Sequence, residues 1–122
     1  MSIYKTKTFA RYARDEHIPD KSLVEAITRA SNGLVDADLT GGLIKQRVAR
    51  QGEGRRGGYR VLVAFRSLEF SVFLYGFAKS ERDNLDPKEL RVMHTAAEGW
   101  LKASPEAIRQ ALNEGKLTEV GE

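Results

Sequence analysis

The chain has 122 residues, of which 41% are hydrophobic and 30% are charged. This length suits one domain, and the composition is that of a folded rather than a disordered chain. The sequence contains no cysteine and only two histidines, which argues against disulfide scaffolds, thiol catalysis and metal sites built on those ligands. Neither a long apolar run nor a secretory signal is visible, so we expect a cytoplasmic protein with no membrane span and no cofactor.

The first third of the chain predicts two helices. Residues 6–16 form a short amphipathic pattern, and Pro19 and Asp20 open a second helix. Apolar residues of this second helix recur at i, i+3, i+4 and i+7, namely Leu23, Ala26, Ile27 and Ala30. Asn32 and Gly33 end it, because both tolerate the left-handed conformation of a helix cap. Residues 34–42 are a loop by composition.

The middle of the chain predicts three strands over residues 44–49, 59–66 and 70–77. The first alternates, with Gln46 between two apolar residues on one face. The second is partly apolar on both faces, which indicates a central strand. A turn rich in glycine and arginine (residues 51–58) and a second short turn join the three strands, so an antiparallel meander is the natural pairing.

The last third predicts one or two further helices. Asp86, Pro87 and Glu89 form a helix start with a capping box, and Ser104 caps a shorter helix that ends at Gly115. Residues 116–122 are expected to fray. The predicted fold class is therefore α+β, with two N-terminal helices, a three-stranded antiparallel sheet and a C-terminal helix or helices.

The excess positive charge lies in one short segment. Residues 41–66 carry seven lysines and arginines against Glu53 alone. Within this segment Lys45 and Arg47 share one face of the first strand, and Arg60 and Arg66 share one face of the second. If the strands pair through the turn, Lys45, Arg47 and Arg60 can converge on a surface that holds a phosphodiester. The simpler alternative is a solvated basic face with no partner.

The run G-G-L-I-K-Q-R-V-A-R-Q-G-E-G-R-R-G-G-Y-R, residues 41–60, resembles the core of the RelE/HigB superfamily of type II toxins. Residues 74–82 resemble the third strand of that family and the Lys/Glu segment after it. The resemblance covers roughly residues 4–101 of the chain. It implies a single RelE-like domain over residues 1–122, in which residues 102–122 form a C-terminal helical extension.

The resemblance implies an endoribonuclease that cuts messenger RNA in the ribosomal A site. In this family the ribosome positions the message, and the RNA 2′-OH attacks the adjacent phosphorus without a metal. The implied partners are mRNA on the ribosome and a cognate antitoxin, in this branch often a helix-turn-helix protein.

The residues of this chain match the family pattern at several positions. Lys45 matches the first catalytic lysine, Arg47 stands at a second basic position, and Arg60 matches a phosphate-stabilising arginine. Because arginine is a poor general base, we assign proton handling to Lys45 and charge stabilisation to Arg47 and Arg60. The predicted RNA-binding residues lie in and around the same basic segment: Arg50, Arg55, Arg56, Arg66, Tyr59 and Lys79.

The sequence departs from the family pattern at two positions. Ser80 stands where a further arginine is expected, so we assign that catalytic position to neighbouring Arg82, or to Lys79. Asp86 stands where a base-stacking tyrosine is expected. Two alternatives to the ribonuclease therefore stay open. One is a ParE-like toxin directed at DNA gyrase, and the other is a non-catalytic RNA- or protein-binding module with the same fold.

Overall fold

The structure is a computed structural model that describes the backbone of residues 1–50 and 54–121 and the side chains of residues 1–50 and 57–121. Within these ranges the chain forms six strands and four helices. In chain order they are β1 (Ile3–Thr6), α1 (Lys7–Asp15), α2 (Asp20–Ser31), β2 (Ala37–Asp38), β3 (Leu43–Arg50), β4 (Gly54–Ser67), β5 (Phe70–Ala78), α3 (Pro87–Lys102), α4 (Pro105–Asn113) and β6 (Leu117–Glu119).

The strands form one mixed sheet in the order β2-β3-β4-β5-β1-β6. Its centre is the antiparallel meander β3-β4-β5, as the sequence predicts. On one side β1 pairs parallel to β5 and antiparallel to β6, and on the other side β2 pairs antiparallel to β3. The predicted α+β class is confirmed. The predicted strand count of three is wrong, because the part of the chain that the structure describes contributes six strands to the sheet.

The three missed strands are short and pair with distant parts of the chain. Residues 37–38 lie in the segment expected to be a loop, and residues 117–119 lie in the tail expected to fray. The predicted C-terminal helical extension therefore ends in a strand, in which Leu117 pairs with Thr6. Strands of two to four residues are too short to show a period in the sequence, so their pairing depends on tertiary contacts that local patterns do not report.

The helices begin close to where the sequence predicts. The hydroxyl of Thr6 caps α1 by accepting a hydrogen bond from the Phe9 amide at 3.2 Å. The predicted capping box of α3 is present between Asp86 and Glu89, and the Ser104 hydroxyl caps α4. These caps satisfy amide groups that have no partner inside a helix, which fixes the point at which each helix starts.

The helices pack on both faces of the sheet. On one face, α1 and α2 bury Phe9, Leu23 and Ile27 against Val61 and Val63 of β4. On the other, α3 and α4 cover the alternate residues of the strands, and the members of that second core include Leu43, Leu62, Ala64, Val72, Ala97 and Ile108. The meander is therefore the middle layer of three, and side chains of β3 and β4 on the α3 side are set by its register.

Candidate active site

Lys45, Arg47 and Arg60 lie together on the α3 side of the sheet, and we call them the basic cluster. Lys45 and Arg47 project from β3, and Arg47 lies directly opposite Arg60 of β4. Helix α3 lies along this face from Leu101, which is close to Gly42, to Leu90, which is close to Lys45. The helix therefore stops short of the end of the sheet where Arg47 and Arg60 face each other.

A close approach of two backbones explains the glycine that precedes Tyr59 and Arg60. The β3–β4 register shifts between Val48 and Arg50, which marks a bulge. A Cβ atom on Gly58 would lie 2.2 Å from the carbonyl oxygen of Val48 and 2.7 Å from the amide nitrogen of Arg50. Only glycine fits this contact, so Gly58 lets β4 pair closely with β3 at this point. The pairing places Arg60 opposite Arg47.

The amine of Lys45 is half-buried and has one hydrogen-bond partner among the described residues. It donates to the Asn84 side-chain oxygen at 2.5 Å. Burial, followed by the positive charges of Arg60 and Arg47, holds the pKa of Lys45 below its ordinary value of 10.5, while Asp83 opposes this shift. A lowered pKa makes the neutral amine more accessible, as a general base requires.

Arg60 is buried to an extent unusual for a charged side chain. The residue is 8% exposed, and one of its guanidinium N–H groups donates to the carbonyl of Tyr59 at 3.3 Å. Burial and then the charge of Arg47 lower the pKa of Arg60, against Asp36 and Asp83, which raise it. An arginine nevertheless keeps its proton at neutral pH, so Arg60 supplies a fixed positive charge in a partly desolvated place.

Arg82 lies next to the basic cluster. Its guanidinium lies 5.8 Å from the centre of the Phe77 ring, and Phe77 pairs with Arg60 across β4 and β5. Both terminal nitrogens of Arg82 contact the carboxylate of Glu89, and its Nε donates to the carbonyl of Asn84 at 3.1 Å. The hydrogen bonds from Arg82 to Glu89 hold the pKa of this arginine above its ordinary value.

A small cavity of about 250 Å³ lies between Lys45 of the basic cluster and the start of α3. Two of the residues around it are polar, Lys45 and Asn84, and the others are apolar. The lining residues are Leu39, Lys45, Leu62, Phe77, Asn84, Leu85 and Leu90.

The predicted RNA-binding residues are not all brought to this face. The Tyr59 ring lies on the α1–α2 side, is 4% exposed and donates its hydroxyl to the carbonyl of Glu16, so it offers no free face for a base. Arg50 stacks on that ring at 5.6 Å. Arg66 lies at the far end of the sheet, where it contacts Phe70 and the carbonyl of Leu101.

The remaining predicted RNA-binding residues are Lys79, Arg55 and Arg56. Lys79 is exposed just after β5, and its amide donates to the carbonyl of Gly58 at 3.1 Å, in the strand that carries Arg60. The side chains of Arg55 and Arg56 lie outside the described residues. Ser80 is exposed in the turn that follows Lys79, and Asp86 is the cap of α3.

Several residues near the basic cluster were not predicted. Asn84 and Asp83 lie in the segment between β5 and α3, and Asp36 and Arg29 contact the outer edge of β3. Gln46 is the one that the sequence could have indicated, because it is a polar residue on a strand face that is otherwise apolar.

The described residues contain neither a metal-binding cluster nor a membrane-spanning helix. No group of three or more histidine, cysteine, aspartate or glutamate side chains is arranged there to hold a metal ion. No helix in the described ranges is long and apolar enough to cross a membrane.

Comparison with known families matches nearly the whole chain. A family model described as the RelE toxin of the RelE/RelB toxin–antitoxin system matches residues 1–120. The match extends beyond the resemblance noted in residues 4–101 and includes α4 and β6. The chain therefore belongs to the RelE family of toxins of toxin–antitoxin systems.

Proposed function

We propose that this toxin is an endoribonuclease that cuts messenger RNA in the ribosomal A site, and that the basic cluster is its active site. The observation that carries the proposal is the placement of Lys45, Arg47 and Arg60 on one face, with Arg47 directly opposite Arg60. Membership of the RelE family supports the same conclusion.

A solvated basic face with no partner would not show the burial and the lowered pKa values of the basic cluster. Like charges directly opposite each other in a sheet are destabilising, and exposed charges rarely shift each other's pKa far. Here Arg60 is 8% exposed, and the pKa of Lys45 is lowered by burial and by both arginines. Groups with perturbed pKa values that converge in a partly buried place are typical of functional sites.

The proposed reaction is attack of a 2′-OH on the neighbouring phosphorus. The neutral amine of Lys45 takes the 2′ proton while the 2′ oxygen forms a bond to phosphorus. The bond from phosphorus to the 5′ oxygen breaks, and that oxygen leaves with a proton from water. The negative charge that grows on the non-bridging oxygens is stabilised by the guanidinium groups of Arg47 and Arg60.

Arg82 is proposed as the fourth catalytic side chain because it lies beside the basic cluster on the Phe77 ring. Its ion pair with Glu89 fixes the guanidinium at the margin of the site, so Arg82 contacts a phosphate by exchanging part of that ion pair for it. Lys79 and Arg50, together with Arg55, Arg56 and Arg66, are proposed to contact the phosphate backbone of the message or of ribosomal RNA. Tyr59 is left out of this proposal because its ring is buried.

The proposed partners follow from the same activity. The message is bound on the ribosome, which places the activity in the cytoplasm. A toxin of this family has a cognate antitoxin, and we propose that it is a helix-turn-helix protein.

The test is 5′-end mapping of a reporter message in a reconstituted translation reaction, with and without ribosomes. We expect the wild type to make cuts that need ribosomes and fall in register with codons. The variant Lys45→Ala/Arg60→Ala should make none. Arg109→Ala, which removes a positive charge from the exposed surface of α4, is the matched control and should cut like the wild type.

An intact message in the presence of folded wild-type protein would overturn the proposal. An assay of DNA gyrase supercoiling on the same preparation would then test a ParE-like activity, and RNA binding without cleavage would support a binding module.

A further inference from the structure

At Arg47, the backbone groups on the outer edge of β3 are hydrogen-bonded by side chains and not by a neighbouring strand. The two-residue strand β2 pairs only with Ile44 and Lys45. Beyond it, the amide of Arg47 donates to the carboxylate of Asp36 at 2.7 Å, and the carbonyl of Arg47 accepts from the guanidinium of Arg29. Arg29 also donates to the same Asp36 oxygen at 3.0 Å. Asp36 and Arg29 thus take the place of a neighbouring strand, and we call this pair the edge clamp.

Both residues of the edge clamp are anchored. Arg29 lies in the last turn of α2, and its Nε donates to the carboxylate of Glu25 at 2.6 Å. The amide of Asp36 donates to the side-chain oxygen of Gln46 at 2.7 Å. Gln46 is completely buried, and its NH₂ group donates to the carbonyls of Ala26 and Leu34. The clamp is therefore tied to the core through α2 and through β3 itself.

The edge clamp also determines how Arg47 faces Arg60. Both backbone polar groups of Arg47 point outward to the clamp, so Arg47 and Arg60 form a non-hydrogen-bonded pair. In such a pair the two side chains stand close together on one face. Among the described residues the Arg47 guanidinium makes no ion pair, so the clamp holds this residue by its backbone and leaves its charged group to the site.

We propose that Asp36 and Arg29 are positioning residues, which hold the backbone of Arg47 so that its guanidinium stays opposite Arg60 in the basic cluster. The proposal rests on the proposed function for its catalytic meaning. It predicts that Asp36 and Arg29 act on cleavage through Arg47 and not through a substrate contact of their own.

The test is a double-mutant cycle on single-turnover cleavage of a ribosome-bound message. Asp36→Asn keeps the size of the side chain and removes its charge. We expect it to slow cleavage about tenfold in the wild type, since small misplacements of a catalytic group cost factors of about 10 to 100. In an Arg47→Ala background, where residual cleavage is slow, the same change should have no further effect. An equal loss in both backgrounds would overturn the proposal.

Asp38→Asn is the matched control for charge. Asp38 lies in β2, two residues after Asp36, and accepts a hydrogen bond from the amide of Thr40, without a contact to Arg47. It should cleave like the wild type. Arg29→Lys is a second variant in case Asp36→Asn folds poorly, because it keeps the positive charge while one ammonium replaces the fork that reaches both Asp36 and Arg47. Cleavage by Arg29→Lys at the wild-type rate would contradict the proposal.

A second readout does not depend on cleavage. Asp36→Asn should speed hydrogen exchange of the Arg47 amide by at least about tenfold, measured by NMR, whereas Asp38→Asn should leave it unchanged. Unchanged exchange in Asp36→Asn would overturn the clamp even if the protein cleaves RNA. Absence of cleavage by the wild type would instead overturn the proposed function, and with it the catalytic meaning of the clamp.

Discussion

Gln46 is the residue on which the polar contacts around β3 converge, and its replacement by leucine is the sharpest test of the packing described above. Its side chain is 0% exposed and lies on the face of β3 that packs against α2. It accepts one hydrogen bond from the amide of Asp36 and donates two, to the carbonyls of Ala26 and Leu34. Leucine has a similar volume, so Gln46→Leu removes the hydrogen bonds without creating a large cavity.

The expected loss follows from these three contacts. A hydrogen bond in a protein contributes about 0.5–1.5 kcal/mol net, and a buried donor left without a partner costs about 1–3 kcal/mol. The contact to Leu34 is long, at 3.3 Å, and the gain from a buried leucine offsets part of the loss. We therefore expect Gln46→Leu to lower the free energy of unfolding by about 2–3 kcal/mol.

Equilibrium unfolding in urea measures this change. With an m value of about 1–2 kcal/mol per molar urea, the midpoint should fall by about 1–3 M. Gln110→Leu is the matched control, because Gln110 is exposed on α4 and bonds only its helix neighbour Glu114 among the described residues. It should shift the midpoint little. A variant Gln46→Leu as stable as the wild type would refute the reasoning, because it would show that the buried contacts contribute no net stability.

Three further predictions concern the site and its supports. Single-turnover cleavage should rise about tenfold per pH unit between pH 6 and the lowered pKa of Lys45, and this dependence should vanish in Lys45→Gln. Gly58→Ala should lower the free energy of unfolding by about 2–3 kcal/mol or more in urea titrations, because its Cβ would overlap β3. Gly99→Ala, where α3 leaves open space, should raise stability by about 0.5–1 kcal/mol, and the opposite ranking would contradict the account of the bulge. Desolvation favours the neutral form of Asp36, but hydrogen bonds from the Arg47 amide and Arg29 outweigh it and hold the pKa of Asp36 below its ordinary value of 3.8. The stability that this carboxylate contributes is therefore present above pH 3.8 and lost as the pH falls through the lowered pKa. Urea midpoints measured from pH 7 to pH 2.5 should fall less steeply for Asp36→Asn, and equal slopes would contradict that assignment.

The faces of the central strands could be predicted from the sequence because alternation alone sets them. Val61 and Val63 lie in the core beneath α1 and α2, and Leu62 and Ala64 lie in the core beneath α3 and α4, as the pattern requires. The short strands could not be predicted in this way. Tyr4 pairs with Val72 and Glu119, which are distant in sequence, and a local pattern carries no information about such partners.

The basic cluster could be predicted because the β3–β4 hairpin brings its members together. Alternation puts Lys45 and Arg47 on one face, and pairing through the turn brings Arg60 opposite Arg47. The positions of Asn84 and Asp36 could not be predicted, because segments without a period bring them to the site. Tyr59 precedes Arg60, but adjacent residues of a strand point to opposite faces, so the Tyr59 ring lies in the core.

The repulsion between the arginines of the basic cluster lowers the stability of the sheet, and other contacts of β3 must offset this loss. Arg47 and Arg60 are like charges directly opposite each other, an arrangement that destabilises a sheet. A carboxylate bound to the guanidinium of Arg47 would reduce this cost, but it would also compete with a phosphate for that group. In this chain the carboxylate of Asp36 is bound to the Arg47 backbone and to Arg29 on the outer edge of β3, while its charge still favours the protonated form of Arg60. The edge clamp therefore stabilises the strand that carries the charges without occupying the guanidinium of Arg47, which is the arrangement that binding of an anionic substrate requires.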